Sequence, residues 1–316
     1  MMNIREQLYP LKTQLLDLLC TASAGARHFN PEDHIIISSY PRSGSTWVAE
    51  LISQMPGSAL LWEPLHLRKG RAFADSGFGW RQHIPENEDW MEAQQAFEAL
   101  FTGELLNHWM SSRTFPLKFC SADRMVIKFV RANGLLPWLT RQFYFSNKPI
   151  YLIRHPFAVA ASQMKEGSWD EAFKQYSIPS MPYNGIYRKH ESYLSSLNTQ
   201  QEILVADWCI NNKVVLDNER HERDWIAIHY EQLLTEPESV LQGIFDRWER
   251  PLPEGIFRQL QKASSTTVES TFQKSVRAQL GKWQHSFDRS ERKRLQRVLN
   301  YFGVDIYSQE MLLPAV

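Results

Sequence analysis

The sequence predicts an α/β fold with a single domain, in which helices flank a mainly parallel central sheet. Short apolar runs that suit strands alternate along the chain with longer segments of helical periodicity, the pattern of strands joined by helical crossovers. No linker divides the 316 residues, and 43% of them are hydrophobic, enough to bury a substantial core. We therefore expect one domain over residues 1–316, with residues 1–30 as an N-terminal helical extension.

Five short apolar segments are strand candidates, and eight longer segments are helix candidates. The predicted strands are Ile35–Ser38, Ala59–Trp62, Met125–Phe129, Ile150–Ile153 and Trp225–His229. The predicted helices are Trp47–Met55, Met91–Met110, Leu135–Phe145, Phe157–Lys165, Tyr187–Glu219, Pro237–Trp248, Pro253–Ala263 and Arg289–Phe302. Two stretches rich in Gly and Pro, Leu67–Glu88 and Gly167–Tyr187, predict irregular inserts of the kind that form lids or binding loops.

The first 25 residues predict an amphipathic helix that packs on the domain. Apolar residues recur there at helical spacing, namely Ile4, Leu8, Leu11, Leu15, Leu18 and Leu19. Charged residues interrupt them, so no window approaches a membrane span, and no secretory signal is evident.

Charge and cysteine content narrow the classes of function. The 35 Lys and Arg residues balance 35 Asp and Glu residues, so no global basic field indicates a nucleic acid partner. Cys20, Cys120 and Cys209 are too few and too widely spaced for a disulfide framework or a zinc site. They predict buried free thiols in a reducing compartment, and we expect a cytoplasmic protein.

A strand, a tight loop and a helix follow one another between His34 and Ile52. The apolar run stops at Tyr40, and helical periodicity begins at Trp47. Such a loop offers free backbone N–H groups and the positive end of the helix dipole to an anion. Arginine adds a cation, the hydroxyls add donors, and glycine permits close approach. The residues of this P-loop-like anion site are Arg42, Ser43, Gly44, Ser45 and Thr46. An ordinary strand–helix connection is the alternative.

The loop is not a Walker A motif, because no lysine precedes its hydroxyl residues. A nucleotide kinase or NTPase is therefore disfavoured. The run Pro-Arg-Ser-Gly-Ser-Thr-Trp at 41–47 resembles instead the phosphosulfate loop of sulfotransferases. That resemblance implies 3′-phosphoadenosine-5′-phosphosulfate (PAPS) as co-substrate and adenosine 3′,5′-bisphosphate as product. A non-catalytic nucleotide-binding module is a third interpretation.

A second anion motif lies at the end of the fourth predicted strand. Arg154 stands at its carboxyl end, where open α/β sheets bind ligands. Ser162 follows eight residues later, slightly more than two helical turns, so it can lie on the helix face that points back toward Arg154. An arginine and a hydroxyl can together hold a phosphate. In sulfotransferases such a pair grips the 3′-phosphate of PAPS, so the resemblance implies this role for Arg154 and Ser162.

Three further positions take roles from the same resemblance. The segment that begins at Trp225 is similar to the strand-Tyr-Glu element of these enzymes, which implies that Tyr230 lies near the adenine. Trp47 occupies the position whose ring stacks on the adenine. The segment 274–287 resembles the basic C-terminal loop, although its usual Arg-Lys-Gly triplet is absent; Ser275 and Arg277 are the nearest candidates for the 3′-phosphate.

The resemblance spans about Ile35 to Phe287 and is closest to carbohydrate O-sulfotransferases. The Trp-Glu-Pro that ends at Pro64 and the Ile-Lys-x-Val-Arg that ends at Arg131 carry that similarity. Where cytosolic enzymes have their catalytic His, this chain has Val130. We expect a carbohydrate or glycan-like acceptor with a free hydroxyl, and a lipid, polyketide or other small-molecule alcohol is the alternative. The oligomeric state stays open.

Sulfuryl transfer requires cations on the moving charge and a base for the acceptor hydroxyl. Lys128, at the end of its predicted strand, is a candidate cation. Glu63 is the leading candidate for the base, and His66 is the second because imidazole titrates near neutral pH. The alternative is that Glu63 is a solvent-exposed turn carboxylate, or that it forms an ion pair with Arg42 that only orients the loop. No metal is required, and no spacing of His, Asp and Glu indicates one.

Overall fold

One parallel sheet of five strands forms the centre of the molecule. The computed structural model describes residues 4–26, 28–167, 175–260 and 275–315, and in the first of these ranges it describes side chains for residues 11–23. The strands are β1 (Ile35–Ser39), β2 (Ser58–Trp62), β3 (Arg124–Phe129), β4 (Ile150–Ile153) and β5 (Ile226–His229), in the order β2-β3-β1-β4-β5. All neighbouring strands are parallel. The predicted α/β fold with a parallel central sheet is confirmed.

Helices of very different length connect and cover the strands. They are α1 (Ile4–Ala26), α2 (Ser45–Ile52), α3 (Arg71–Asp75), α4 (Met91–Thr102), α5 (Lys118–Ser121), α6 (Leu136–Gln142), α7 (Pro156–Glu166), α8 (Gly185–Arg188), α9 (Glu191–Ser195), α10 (Gln200–Leu216), α11 (Tyr230–Thr235), α12 (Pro237–Arg247), α13 (Glu254–Leu260), α14 (Val276–Leu280) and α15 (Arg289–Phe302). The predicted bounds of α15 are confirmed, whereas the predicted end of Pro253–Ala263 lies outside the described residues.

Two long predicted helices are wrong in their extent, and each has a local cause. The segment Tyr187–Glu219 is not one helix, because it contains the end of α8 followed by α9 and α10. Thr199 adopts an extended conformation before α10, and its hydroxyl accepts a hydrogen bond from the Glu202 amide at 3.4 Å, a typical N-cap. The predicted helix Met91–Met110 ends at Thr102, because Gly103 takes the left-handed conformation (φ 93°) that terminates α4.

The strands are apolar on both faces because helices cover both faces of the sheet. Ile35 and Ile37 of β1 pack with apolar residues of α2, α12 and α13. Ile36, between them, faces the opposite way and packs with a cluster that includes Phe97 and Phe101 of α4. This arrangement is typical of parallel sheets, whose strands are buried on both sides.

The N-terminal helix α1 contacts the domain through the buried Cys20 and through polar side chains. Asp17 accepts a hydrogen bond from His108 Nδ1 at 2.8 Å, and the Ser23 hydroxyl donates to the carbonyl of Pro116 at 3.0 Å. Three of the apolar residues whose spacing predicted this helix are nevertheless exposed. The exposed fractions are 62% for Leu11, 57% for Leu15 and 68% for Leu18.

The structure can be compared with two further expectations, on the cysteines and on membrane-spanning helices. All three cysteines are free thiols; Cys20 and Cys209 are buried, whereas Cys120 is only half-buried. Within the described ranges, no helix combines the length and apolarity that a membrane crossing needs.

Candidate functional site

The loop between β1 and α2 turns twice through the left-handed region. Arg42 has φ 71° and Gly44 has φ 96°, and Gly44 caps the N-terminus of α2. The amides of the first helical turn therefore point out of the loop, as at other helix N-termini that receive anions. Ser43, Ser45 and Thr46 are buried against the loop, and the Ser43 hydroxyl has no hydrogen-bond partner within the described chain.

Gly44 is required here by a neighbouring side chain. A Cβ atom at this position would lie 2.5 Å from Cδ2 and 2.7 Å from Cε2 of Tyr230. Tyr230, the first residue of α11, also contacts Trp47 edge-on, with ring centroids 6.3 Å apart. The loop and the residue that follows β5 are thus packed directly on each other.

The second predicted motif meets the first. Arg154, at the end of β4, donates from Nη1 to the carbonyl of Arg42 at 2.9 Å, and its guanidinium lies 4.3 Å from the ring centroid of Tyr230. The Nε of Arg42 donates to the hydroxyl of Ser162 on α7 at 3.2 Å. Four residues predicted from separate segments therefore form one cluster; with Gly44 we call them the loop cluster, namely Arg42, Gly44, Arg154, Ser162 and Tyr230.

A buried polar group supports this cluster from below. Glu231 accepts hydrogen bonds from the His155 amide and from the Tyr307 hydroxyl, both at 2.8 Å. Burial raises the pKa of Glu231 although Arg154 and these donors oppose the shift. Burial also lowers the pKa of His155 to about 3, so its imidazole is neutral. Glu231 has no predicted role, although it follows Tyr230 in the Tyr-Glu motif.

The C-terminal candidates Ser275 and Arg277 lie at the start of α14, which contacts α11. The Ser275 hydroxyl caps that helix by accepting from the Ala278 amide at 3.2 Å, and both candidates are exposed. No contact joins either of them to the loop cluster in the described structure. Lys282, which was not among the predicted residues, lies near Arg154 of the loop cluster. Burial, with Lys165 and Arg154 nearby, lowers the pKa of Lys282.

Glu63 follows β2 with φ 37° and pairs with two cations. Its Oε1 lies 2.5 Å from Nζ of Lys128, and its Oε2 lies 3.6 Å from Nη1 of Arg131. The register explains the first contact, because Trp62 of β2 lies opposite Lys128 of β3. Lys128 Nζ also lies 3.7 Å from the Trp62 ring centroid. The alternative in which Glu63 pairs with Arg42 is wrong.

The titration of this pair follows from burial and mutual attraction. Burial would raise the pKa of Glu63, but Lys128 and Arg131 outweigh it and hold that pKa below its ordinary value. Glu63 is therefore ionised at neutral pH. Burial lowers the pKa of Lys128 to about 8 despite Glu63, and its side chain is only 2% exposed. The lysine remains mostly charged at pH 7.

His66 lies between two indole rings beside Glu63. Its ring centroid is 5.2 Å from that of Trp80 and 5.0 Å from that of Trp109, both edge-on. The guanidinium of Arg131 lies 4.8 Å from the Trp80 centroid. Burial and Arg131 lower the pKa of His66, and its buried Nδ1 has no hydrogen-bond partner among the described residues. The term Glu63 cluster is used below for Glu63, His66, Trp80, Lys128 and Arg131.

A buried carboxylate connects both inserts to the start of the loop. Asp207 on α10 accepts a hydrogen bond from the Tyr40 hydroxyl at 2.5 Å and pairs with Arg81 of the first insert. Tyr176 of the second insert donates to the same carboxylate at 3.3 Å. Tyr40 immediately precedes the loop, so the two inserts and the loop share one anchoring group.

The strand order separates the two clusters. The loop cluster lies over β1, β4 and the end of β5, whereas the Glu63 cluster lies at the ends of β2 and β3. Because β1 stands between β3 and β4, the loop between β1 and α2 lies at the boundary between the two clusters. Ligands of open α/β sheets bind at such positions, outside the carboxyl ends of the strands.

Three solved structures are similar to this chain in outline. The sulfotransferase domain from the Synechococcus PCC 7002 olefin synthase has 21% sequence identity and a TM-score of 0.44, and the match covers 87% of this chain and 96% of that one. The sulfotransferase domain from the curacin biosynthetic pathway has 17% identity and a TM-score of 0.45, with 86% of this chain and 98% of that one covered. Mouse sulfotransferase SULT7A1 complexed with PAP has 13% identity and a TM-score of 0.43, with 92% of this chain and 91% of that one covered. At these scores they say nothing about the acceptor of this chain.

No curated protein sequence matches this chain closely enough to count as a relative. Residues 32–309, however, match the family described as the sulfotransferase domain. The matched range contains every residue of both clusters and all five strands. Because that match spans most of the sequence, the chain belongs to the sulfotransferase domain family and is a PAPS-dependent sulfotransferase.

Proposed function

We propose that this chain transfers the sulfuryl group of PAPS to a hydroxyl of a carbohydrate or glycan-like acceptor. One observation carries the proposal. The two predicted anion motifs, 112 residues apart in sequence, meet through the hydrogen bond from Arg154 Nη1 to the Arg42 carbonyl. A nucleotide with phosphates at both its 5′ and 3′ positions needs two such adjacent sites.

In this proposal, the loop cluster binds the nucleotide. The first-turn amides of α2, with Ser43, Ser45 and Thr46, hold the 5′-phosphosulfate. Arg154 and Ser162 hold the 3′-phosphate, to which Lys282 brings a further cation. Ser275 and Arg277 stay predictions for the same phosphate. Trp47 and Tyr230 present their rings to the adenine, and Glu231 fixes the backbone beneath Arg154.

The Glu63 cluster performs the transfer. The acceptor oxygen attacks sulfur in line, and the bond from sulfur to the 5′-phosphate oxygen breaks with its electron pair leaving on that oxygen. Glu63 is ionised and takes the proton of the acceptor hydroxyl. Lys128 and Arg42 stabilise the negative charge on the sulfuryl and leaving oxygens. His66, with a lowered pKa and two indole neighbours, is the weaker candidate for the base.

Indole rings beside Glu63 support a carbohydrate acceptor. Trp80 and Trp109 are half-buried next to His66, and Trp62 lies under Lys128. The apolar faces of sugar rings pack well on such flat aromatic surfaces. A lipid, polyketide or small-molecule alcohol would need the same base and cation, so the acceptor screen below includes these classes. The metal-free mechanism and the cytoplasmic location stay predictions.

Nucleotide binding tests the first half of the proposal. Adenosine 3′,5′-bisphosphate should raise the melting temperature by linkage, and AMP should raise it much less. Arg154→Ala should weaken the bisphosphate by about 2 kcal/mol and leave AMP binding nearly unchanged. Equal stabilisation by AMP, ADP and ATP, or equal loss of AMP and bisphosphate binding in Arg154→Ala, would contradict the assignment.

Transfer of labelled sulfate from PAPS tests the second half. Mono- and oligosaccharides, fatty alcohols, polyketide-like hydroxy acids and phenols should be offered in parallel, with Arg42→Ala as the matched inactive control. Label on a sugar hydroxyl supports the carbohydrate proposal, and label on an aliphatic alcohol alone supports the alternative. Bisphosphate binding without label on any acceptor would favour a non-catalytic nucleotide-binding module.

A further inference from the structure

We propose that Arg81 is a positioning residue for sulfuryl transfer, which holds Trp80 at the Glu63 cluster by pairing with the same carboxylate that anchors the loop between β1 and α2. The inference rests on the proposed function, in which Glu63 takes the proton of the acceptor hydroxyl. It adds a physical connection between the nucleotide side of the site and the acceptor side.

Two successive residues of the first insert contact different parts of the site. The ring centroid of Trp80 lies 4.8 Å from the guanidinium carbon of Arg131, which pairs with Glu63 at 3.6 Å. Arg81, the next residue, pairs with Asp207 on α10. Because successive Cα atoms are only about 3.8 Å apart, a shift of Arg81 moves Trp80, and with it the surface on which Arg131 lies.

Ionic and aromatic contacts fix the Arg81 side chain. Its guanidinium carbon lies 5.7 Å from the ring centroid of Tyr176 and 5.5 Å from that of Tyr187. Its partner Asp207 has a side chain that is only 1% exposed, and solvent screens such an ion pair weakly. The Tyr187 hydroxyl also donates to the Arg81 carbonyl at 2.9 Å. The side chain and the backbone of Arg81 are therefore held together in one place.

The backbone of Arg81 lies in the left-handed region, with φ 61°. That conformation is unfavourable for a residue with a side chain, and it persists where surrounding contacts enforce it. The ion pair with Asp207 is such a contact, so its loss would let the turn relax. Trp80 is the residue directly before this turn, and we expect its ring then to move away from Arg131.

Asp207 connects this turn with the loop between β1 and α2. Tyr40, which precedes the loop, donates to Oδ2 of Asp207 at 2.5 Å, while Arg81 pairs with Oδ1 of the same carboxylate. A carboxylate that is bound through both oxygens by charge-assisted contacts has little freedom to rotate. Ordering of the loop by a bound nucleotide should therefore extend to Arg81 and Trp80.

Hydrogen exchange measures this connection without any acceptor. Saturating adenosine 3′,5′-bisphosphate should slow amide exchange over residues 78–84 about five-fold or more in the wild type. Tyr40→Phe breaks the connection and should remove most of that slowing, at equal occupancy because the ligand is saturating. Tyr176→Phe is the matched control, since it removes another phenol that donates to the same carboxylate, at 3.3 Å, but from the second insert. In that variant the slowing should persist.

Three outcomes of the exchange measurement would overturn the proposal. They are equal slowing in the wild type and in Tyr40→Phe, loss of the slowing in Tyr176→Phe alone, and no slowing in a wild type that binds the bisphosphate. A wild type that does not bind the bisphosphate at all would contradict the proposed function, and this inference with it.

The pH dependence of turnover tests the effect on the base. The titratable groups that act on Glu63 are Lys128, Arg131 and His66. If Trp80 no longer holds Arg131, the pKa of Glu63 should rise, because one of the cations that stabilise its ionised form is displaced. The acid limb of kcat/KM should then move to higher pH by about half a unit or more, measured with an acceptor that the wild type uses.

Variants of Arg81 separate positioning from folding. Arg81→Gln should shift the acid limb, Trp80→Leu should reproduce the shift, and Arg81→Lys, which can still pair with Asp207, should restore most of the wild-type profile. Circular dichroism shows which variants are folded. If Arg81→Gln is not folded, Trp80→Leu against Arg81→Lys and hydrogen exchange in Tyr40→Phe decide the question. An acid limb that stays at its wild-type pH in folded Arg81→Gln, or in Trp80→Leu, would overturn the positioning role.

Discussion

Replacement of Gly44 by alanine should disturb the loop between β1 and α2 strongly. The new Cβ would lie 2.5 Å from Cδ2 of Tyr230, well inside van der Waals contact. The backbone at φ 96° adds strain of about 1 kcal/mol for a residue other than glycine. Overpacking of this kind costs about 1–3 kcal/mol more. We expect a total loss of about 2–4 kcal/mol in the free energy of unfolding.

The same substitution should also weaken nucleotide binding. Tyr230 can relieve the overlap only by moving, and Arg154 lies 4.3 Å above its ring. We expect the Kd of adenosine 3′,5′-bisphosphate to rise about ten-fold or more, equivalent to about 1.4 kcal/mol. Urea unfolding and isothermal titration calorimetry measure the two effects.

A control glycine and a double variant separate the causes. A Cβ at Gly243, in the middle of α12, meets nothing within 4 Å, so Gly243→Ala should be neutral or slightly stabilising. Tyr230→Leu should remove part of the penalty of Gly44→Ala, because the two residues are in contact. The reasoning is refuted if Gly44→Ala stays within about 0.5 kcal/mol of wild type with unchanged bisphosphate affinity.

Three further predictions concern the base, the buried carboxylate and pH. Glu63→Gln should lower turnover about 10²-fold or more while bisphosphate affinity is kept; near-normal turnover on an acceptor that the wild type uses would exclude it as the base. Asp207→Asn should destabilise the protein by about 3 kcal/mol or more in urea unfolding, since it breaks a buried ion pair, whereas Tyr40→Phe should cost about 1 kcal/mol; equal losses would contradict this. His34 and His155 have pKa values held by burial at about 4 and about 3. As pH falls below about 6.5, these two histidines are protonated in the unfolded chain but stay neutral in the folded protein. Between pH 6 and pH 5 the free energy of unfolding should therefore fall by about 2 kcal/mol for the two together. Urea unfolding at both pH values measures this, and equal free energies of unfolding would contradict it.

The strands could be predicted because burial on both faces makes each one a continuous apolar run. Ile150–Ile153 has its predicted bounds, and the others differ by one residue at an end. The lengths of the helices were harder to predict than those of the strands, since a single residue can decide where a helix ends. Gly103 and Thr199 each end or begin a helix through a local conformation that periodicity does not reveal.

The loop cluster was predictable because its motifs are continuous in sequence. The partner of Glu63 was not, since the pairing with Lys128 depends on β2 lying beside β3. That adjacency is a property of the strand order. The stacking of Arg131 on Trp80 joins a strand end to an irregular insert, and no spacing in the sequence connects them.

The anchoring of both inserts on Asp207 limits how this enzyme can be re-engineered. Arg81 comes from the first insert and Tyr176 from the second, yet they contact the same carboxylate as Tyr40. Transplanting one insert from another protein, without a residue that meets this carboxylate, would leave a buried charge without its counter-ion. The two inserts therefore cannot be replaced independently of each other. A graft from another protein should replace both inserts together with Asp207.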